Sequence, residues 1–172
     1  MPSAAPSARA VPAKQTLSHR EIARLMPHSV PFLLVDRVIE LEPGRRGKGI
    51  KNVTADDPLL LGHFPEQPIM PGVLIVEACG QLAAVVCAAA RSTATNEGTA
   101  LPKQENNGGR RPLEILAMIE RFKFLRIVTP GDQLILEAVI GKQFQNMTRI
   151  EVSARVGRNL IAEGTLLATR GS

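Results

Sequence analysis

The sequence contains no Trp and no Tyr, and its aromatic content is 3%, carried by five Phe. Stacking on aromatic rings, the usual way to hold unpaired bases, has almost no platform here, so nucleic-acid binding is not expected. The core must instead be aliphatic. There are two cysteines, Cys79 and Cys87, both inside an apolar run. No second Cys/His cluster offers zinc spacing, so they read as small buried hydrophobes rather than as metal ligands or a disulfide framework. Neither sign of charge dominates: 21 Lys and Arg against 16 Asp and Glu leave a net charge of +5. That modest basic balance suits an acidic partner without demanding one.

Hydrophobic residues are not scarce. They make up 44% of the 172 residues, enough for one domain with a real core. Residues 1–15 hold no apolar segment of the secretory kind and are rich in Ala, Ser and Pro. Residues 1–16 are therefore expected to be a flexible tail, with an organellar import segment as the alternative, and 17–172 a single domain. The run from Gly72 to Ala90 is almost wholly apolar, which raises the question of a membrane span. Glu77 and Gln81 lie within it, and a centrally placed carboxylate costs a membrane helix roughly 2.5–3.5 kcal/mol. A helix buried in a soluble protein is the better reading, and no membrane association is expected.

Leu17 to Met26 reads as a short helix, with Ser18 and Glu21 spaced as a capping box and Leu17 and Ile22 as a hydrophobic staple. Phe32–Glu40 is β-rich. Pro43–Gly49 reads as a turn into a strand at Ile50–Val53, and Thr54–Met70 as a loop. Pro71 suits the first position of the apolar helix, predicted from Pro71 to about Ala90. Being apolar all round, that helix needs a wrapper, and a curved sheet is the economical one. Residues 92–112 are polar and rich in Gly and Asn, and read as a long loop. Beyond them Leu134, Leu136, Ala138 and Ile140 alternate, as do Ile150, Val152, Ala154 and Val156, and Leu160–Thr169 is a last strand candidate. The expected class is α+β: one long helix and an antiparallel sheet.

Of the three histidines, His19 lies in the first turn of the short helix and reads as solvated, and His28, between two prolines, as structural. His63 sits in Leu61-Gly62-His63-Phe64-Pro65, where Gly and Pro would fix the backbone and aim the side chain. Glu77 stands among apolar neighbours. A buried carboxylate must find a partner or stay protonated, and either suits proton transfer near neutral pH. It could equally serve a structural hydrogen-bond donor. Gly72, at the start of the apolar helix, offers a backbone N–H and the positive end of the helix dipole to a developing oxyanion, or serves only close packing. These residues alone imply an acid/base enzyme of undetermined substrate.

The same residues resemble the hot-dog-fold (3R)-hydroxyacyl-acyl carrier protein dehydratases of bacterial-type fatty acid synthesis. Matching segments follow one another in order: Met26-Pro27-His28 with Pro31–Val38; Lys51–Thr54; Gly62-His63-Phe64-Pro65 followed by Pro68–Ala78 and Gln81; and Phe124, Val128 and Pro130–Leu134. The resemblance implies a hot dog, a long central helix wrapped by a curved antiparallel sheet. It implies dimers, assembled three to a hexamer, with His63 from one chain and Glu77 from the other in each site. It implies roles as well. His63 is the base, the Gly72 N–H polarises the thioester carbonyl, and Glu77 handles the departing water. Phe64 and Gln81 lie near the pocket, with Gln81 orienting Glu77 or water. No metal or cofactor is implied. Glu at position 77, where an isomerising branch carries Asp, favours plain dehydration. Val30 stands where the family commonly has a tunnel-gating Tyr, and Glu66-Gln67 replaces a small or basic pair.

The implied partner is the acidic acyl carrier protein, with Arg110, Arg111, Arg121, Lys123 and Arg126 as docking candidates, Arg126 being placed in a strand. Solvated surface charge is the plainer reading of each. The implied compartment is the cytoplasm. Two other functions remain open at this stage: a hot-dog acyl thioesterase and a non-catalytic acyl-binding module.

Overall fold

The computed structural model describes residues 15–94 and 114–170. Its centre is the helix α2 (Gly72–Ala94), and around it runs a sheet of seven strands. The strands are β1 (Gln15–Leu17), β2 (Arg37–Glu42), β3 (Arg46–Asn52), β4 (Glu114–Phe124), β5 (Gln133–Phe144), β6 (Met147–Val156) and β7 (Asn159–Arg170). Their order across the sheet is β1-β2-β3-β5-β6-β7-β4, and every neighbouring pair is antiparallel. A short helix, α1 (His19–Leu25), covers one end. This is the long helix in a wrapping sheet that the sequence predicts.

The alternation in β5 and β6 decides which sheet face turns toward α2. Leu134, Leu136 and Ala138 are buried, as are Ile150, Val152 and Ala154, while their neighbours along each strand are more exposed. From the helix, Ile75, Ala78, Cys79, Leu82, Val85 and Val86 complete an aliphatic core. By length and composition α2 could cross a membrane, but 61% of its most apolar window is buried inside the fold, which makes it a core helix. The wrapping is incomplete along one stripe: Gly80, Ala84 and Cys87 stay half-buried, and Val73 at the start is exposed.

Several local expectations give way. Gln15 and Thr16, assigned to the tail, add a short strand to the sheet. Of the stretch read as a turn before Ile50, Pro43–Arg45 is a turn, with Gly44 at φ 72°, but Gly47 and Gly49 lie inside β3. A Cβ on Gly47 would stand 2.7 Å from Val86 Cγ2, and one on Gly49 3.2 Å from Leu82 Cδ1, so both let α2 approach the strand. Phe32–Val35 is not strand: Gln81 takes the Leu34 N–H that a ladder would have used, and regular pairing begins only at Arg37. α2 continues through Ser92 to Ala94, inside the stretch read as a loop at 92–112, and the rest of that stretch lies outside the described residues. The α1 cap is as expected. The Glu21 carboxylate accepts from both the N–H and the Oγ–H of Ser18, at 2.7 Å each, and Leu17 and Ile22 are buried.

Candidate active site

The loop 53–71 carries His63 and is moored at both ends. At its start Lys51 reaches Asp57 at 2.9 Å, an ion pair with both side chains about nine-tenths buried, and Asp57 also accepts from the Leu59 N–H. Val53 exchanges backbone hydrogen bonds with Gly131 and Asp132, and at the far end Met70 N–H donates to Val128. Between these anchors the His63 N–H is held by Leu60, and Phe64 adopts a left-handed backbone with φ 55°. For a residue with a Cβ that conformation is uncommon, and here it presses the Phe64 ring to 4.2 Å from the His63 ring.

One bond decides what His63 can do. Its Nδ1 lies 2.9 Å from the Ile69 carbonyl oxygen. A carbonyl only accepts, so the ring proton sits on Nδ1 and Nε2 presents a lone pair. That is the tautomer of a general base, with the neutral imidazole aimed and its tautomer chosen by the backbone.

Glu77 stands on the second turn of α2, half-buried, in a different polar setting. Its Oε1 accepts from Gln81 Nε2 at 2.9 Å and lies 3.7 Å from His28 Nε2. Gln81 is 2% exposed, and its amide is fully specified. Nε2 also donates to the Phe32 carbonyl at 2.7 Å, and Oε1 accepts from the Leu34 N–H at 2.8 Å. Flipping the amide would set its oxygen against two acceptors, so the assignment is unambiguous. Gln81 thus bridges Glu77 to the backbone of Phe32 and Leu34. The carboxylate and Gln81 line a cavity of about 130 Å³ that runs along the half-buried stripe of α2 past Ala84 and Cys87, toward Leu116 and the ion-paired Glu114. Its walls are mainly apolar, with Ala83, Ile150, Leu166 and Ala168 between the polar groups at its two ends.

Gly72 opens α2, where first-turn N–H groups have no intrahelical acceptor. A Cβ here would stand 3.0 Å from the Phe124 ring, so the glycine lets Phe124 pack against the start of α2. Cys79 is buried and apolar surroundings push its thiol up to about 12, which removes it as a nucleophile. Within the chain the structure does not bring His63 to Glu77. The His63 ring meets Phe64 and Ile69, whereas Glu77 meets His28 and Gln81. His28, read as structural from the sequence, stands beside Glu77, a placement that comes from contacts between segments 49 residues apart in the chain. (28 and 77 gave no spacing signal.)

The docking candidates scatter. Arg121, with φ 49°, sits at an irregularity in β4 between Glu120 and Lys123, and Lys123 lies in the same strand. Both line a shallow outer groove that also holds Glu137, Glu151 and Glu163, so its charge is mixed. Arg126 is not in a strand: β4 ends at Phe124 and Arg126 lies in the following connection. Arg110 and Arg111 lie outside the described residues.

Comparison with known proteins decides the family. A profile of the FabA-like domain matches residues 26–165. The chain is 46% identical over 150 residues to the 3-hydroxyacyl-[acyl-carrier-protein] dehydratase FabZ of Ruminiclostridium cellulolyticum, covering 87% of this chain and 94% of that one. The chain belongs to the FabA-like 3-hydroxyacyl-[acyl-carrier-protein] dehydratase family. The corresponding FabZ of Clostridioides difficile is 43% identical over 147 residues, covering 86% and 92% of the two chains. Among solved structures, the dehydratase heterocomplex ApeI:P from Xenorhabdus doucetiae superposes with a TM-score of 0.70 at 17% identity, over 88% of this chain and 91% of that one. The E. coli PaaI protein from the phenylacetic acid degradation operon does so at 0.54 and 16%, over 77% and 81%. These two share the fold, a hot dog.

Proposed function

We propose that two copies of this chain build each active site together, His63 from one and Glu77 from the other. The reaction is that of the family: loss of water from a 3-hydroxyacyl-[acyl carrier protein] to give the 2-enoyl thioester in fatty acid biosynthesis. The observation that carries the residue assignment is the Nδ1–Ile69 hydrogen bond, which leaves His63 Nε2 as a base. Nε2 takes the proton from C2, whose acidity the thioester carbonyl supplies. The Gly72 N–H, at the positive end of α2, polarises that carbonyl. The C2–H electrons form the C2=C3 double bond as the C3–O bond breaks. The leaving hydroxyl takes the proton of the Glu77 carboxyl and departs as water. Transfer of a proton from the His63 imidazolium back to Glu77 resets the site. The acyl chain runs into the apolar cavity along α2, and no metal or organic cofactor takes part.

Pairing of two copies is supported by a sheet edge that no described strand covers. β4 is an edge strand, and Ile115, Leu116, Met118, Ile119 and Phe124 on it are all exposed. A long apolar edge is an aggregation hazard unless something covers it. A second copy would cover it and bring a foreign loop to Glu77. A trimer of such dimers, docking of the acidic carrier protein through Arg126, Lys123 and Arg121, and action in the cytoplasm complete the proposal.

Mixing tests it. His63→Ala and Glu77→Ala should each lose about 10²–10⁴-fold in turnover while staying folded. After subunit exchange, random pairing restores both residues to about a quarter of the sites. Activity of the mixture should rise toward that level. Exchange verified by mass labelling without recovery would mean that each site is built from one chain.

A further inference from the structure

Glu77 has a second partner that the reaction as described does not use. His28 Nε2 lies 3.7 Å from Glu77 Oε1, the same oxygen that accepts from Gln81. The other face of the ring is closed: His28 Nδ1 is buried and has no hydrogen-bond partner among the described residues. A neutral imidazole carries one N–H and one lone pair. With no acceptor near Nδ1, a proton there would be a buried, unsatisfied donor, so the ring proton belongs on Nε2, facing the carboxylate. The ring is steadied by Phe32, with centroids 5.9 Å apart, and Phe32 is itself held to α2 through its carbonyl by Gln81. One glutamine therefore fixes both the carboxylate and the segment that brings the histidine to it. Cys87 and Glu114, the latter paired with Arg91, are the other titratable groups lining this cavity.

We infer that His28 is a positioning residue for Glu77: its Nε2–H and the Gln81 amide together take Oε1, which leaves Oε2 as the oxygen presented to the substrate. Among the described residues Oε2 makes no hydrogen bond, in keeping with that division. The present separation, 3.7 Å, is longer than a hydrogen bond, as is common before substrate is bound. The consequence is a carboxyl group that delivers its proton from one defined oxygen. The inference rests on the reading of Glu77 as the water-handling carboxyl and goes beyond it by assigning how that carboxyl is aimed.

Which nitrogen matters gives the test its resolution. The side-chain amide N–H of Gln reaches the place of Nε2, that of Asn the place of Nδ1, and Leu fills the space with no donor. His28→Gln, His28→Asn, His28→Leu and His28→Ala would be compared with Glu77→Gln on one 3-hydroxyacyl-carrier substrate. Expected is a kcat loss of about tenfold for Asn, Leu and Ala, the worth of one charge-assisted hydrogen bond, with KM within about twofold. His28→Gln should retain most of kcat, and added imidazole should restore part of it to His28→Ala. If Leu supports turnover as well as Gln, or if all four variants match the parent while Glu77→Gln is inactive, the inference is wrong and His28 merely fills space. If Glu77→Gln itself keeps full turnover, the reading of Glu77 fails first, a separate and recognisable result. Should His28→Ala not fold, the Gln and Leu pair, near in volume, still decides.

Discussion

Replacing Gln81 by Leu should loosen the protein and slow it together. Leucine is close to glutamine in volume, so no large cavity opens, and the cost falls on the groups left bare. The Leu34 N–H now finds Gln81 Oε1 at 2.8 Å, and Leu34 is fully buried. An orphaned buried donor costs about 1–3 kcal/mol, which enters in full. Phe32 is 43% exposed, so water can take over the carbonyl that accepts from Nε2 at 2.7 Å, and that loss is small. Relief from burying the amide offsets part of the total, leaving a destabilisation of about 2 kcal/mol. Urea unfolding at a fixed protein concentration would read it as a lower midpoint with an unchanged slope; the concentration is fixed because the proposed pairing of copies would stabilise by mass action. Turnover should also fall, since Glu77 loses its 2.9 Å donor. Gln81→Glu keeps an acceptor for Leu34 but sets a second carboxylate one turn from Glu77, so it should lose more activity than stability. A Gln81→Leu protein within about 0.5 kcal/mol of the parent would refute the staple, that being the ordinary scatter of neutral substitutions. Full turnover in that variant would refute the orienting role.

Other consequences are as direct. Gly47→Val should cost about 1–3 kcal/mol, because its Cβ would stand 2.7 Å from Val86 Cγ2 and force β3 from α2; Gly62→Ala, with nothing within 4 Å, is the control in the same thermal melt. Hydrogen bonds from Ser18 hold the Glu21 carboxyl below its usual value, so the cap stabilises the fold above the unfolded carboxyl range and is lost as pH falls through the folded value. Ser18→Ala should therefore cost about 0.5–1 kcal/mol near neutral pH, and its stability curve should converge with the parent's in acid; a gap independent of pH would count against the carboxylate's part. If Arg126 docks an acidic carrier, Arg126→Glu should raise KM for the carrier-linked substrate only. The effect should fade as salt screens exposed charges over roughly 8–10 Å, and equal damage on a short carrier-free thioester would leave Arg126 as solvated surface.

The local patterns needed no tertiary help. The period of two in Leu134–Ala138 and Ile150–Ala154 fixes which sheet face is buried, because a pleated strand sends alternate side chains to opposite faces. The apolar run after Pro71, interrupted by Glu77 and Gln81, reads as a surrounded helix rather than a membrane span. Ser18 and Glu21 cap a helix by spacing alone. Glu77 stood out for the same kind of reason, as a carboxylate where burial is costly. Its partners were another matter. Gln81, a helical neighbour at i, i+4, entered only through the family resemblance, and His28 reaches Glu77 only because the chain folds back across α2. Gly47 and Gly49 look like a turn until the helix is seen pressed against them, since close approach is a property of two segments at once. The proton on His63 Nδ1 is likewise set by a carbonyl that the loop brings within 2.9 Å, a distance no composition or spacing encodes. Periodicity and capping act within a few residues and can be read along the chain; the aim of a side chain depends on what lies across the gap, and only the folded structure holds that.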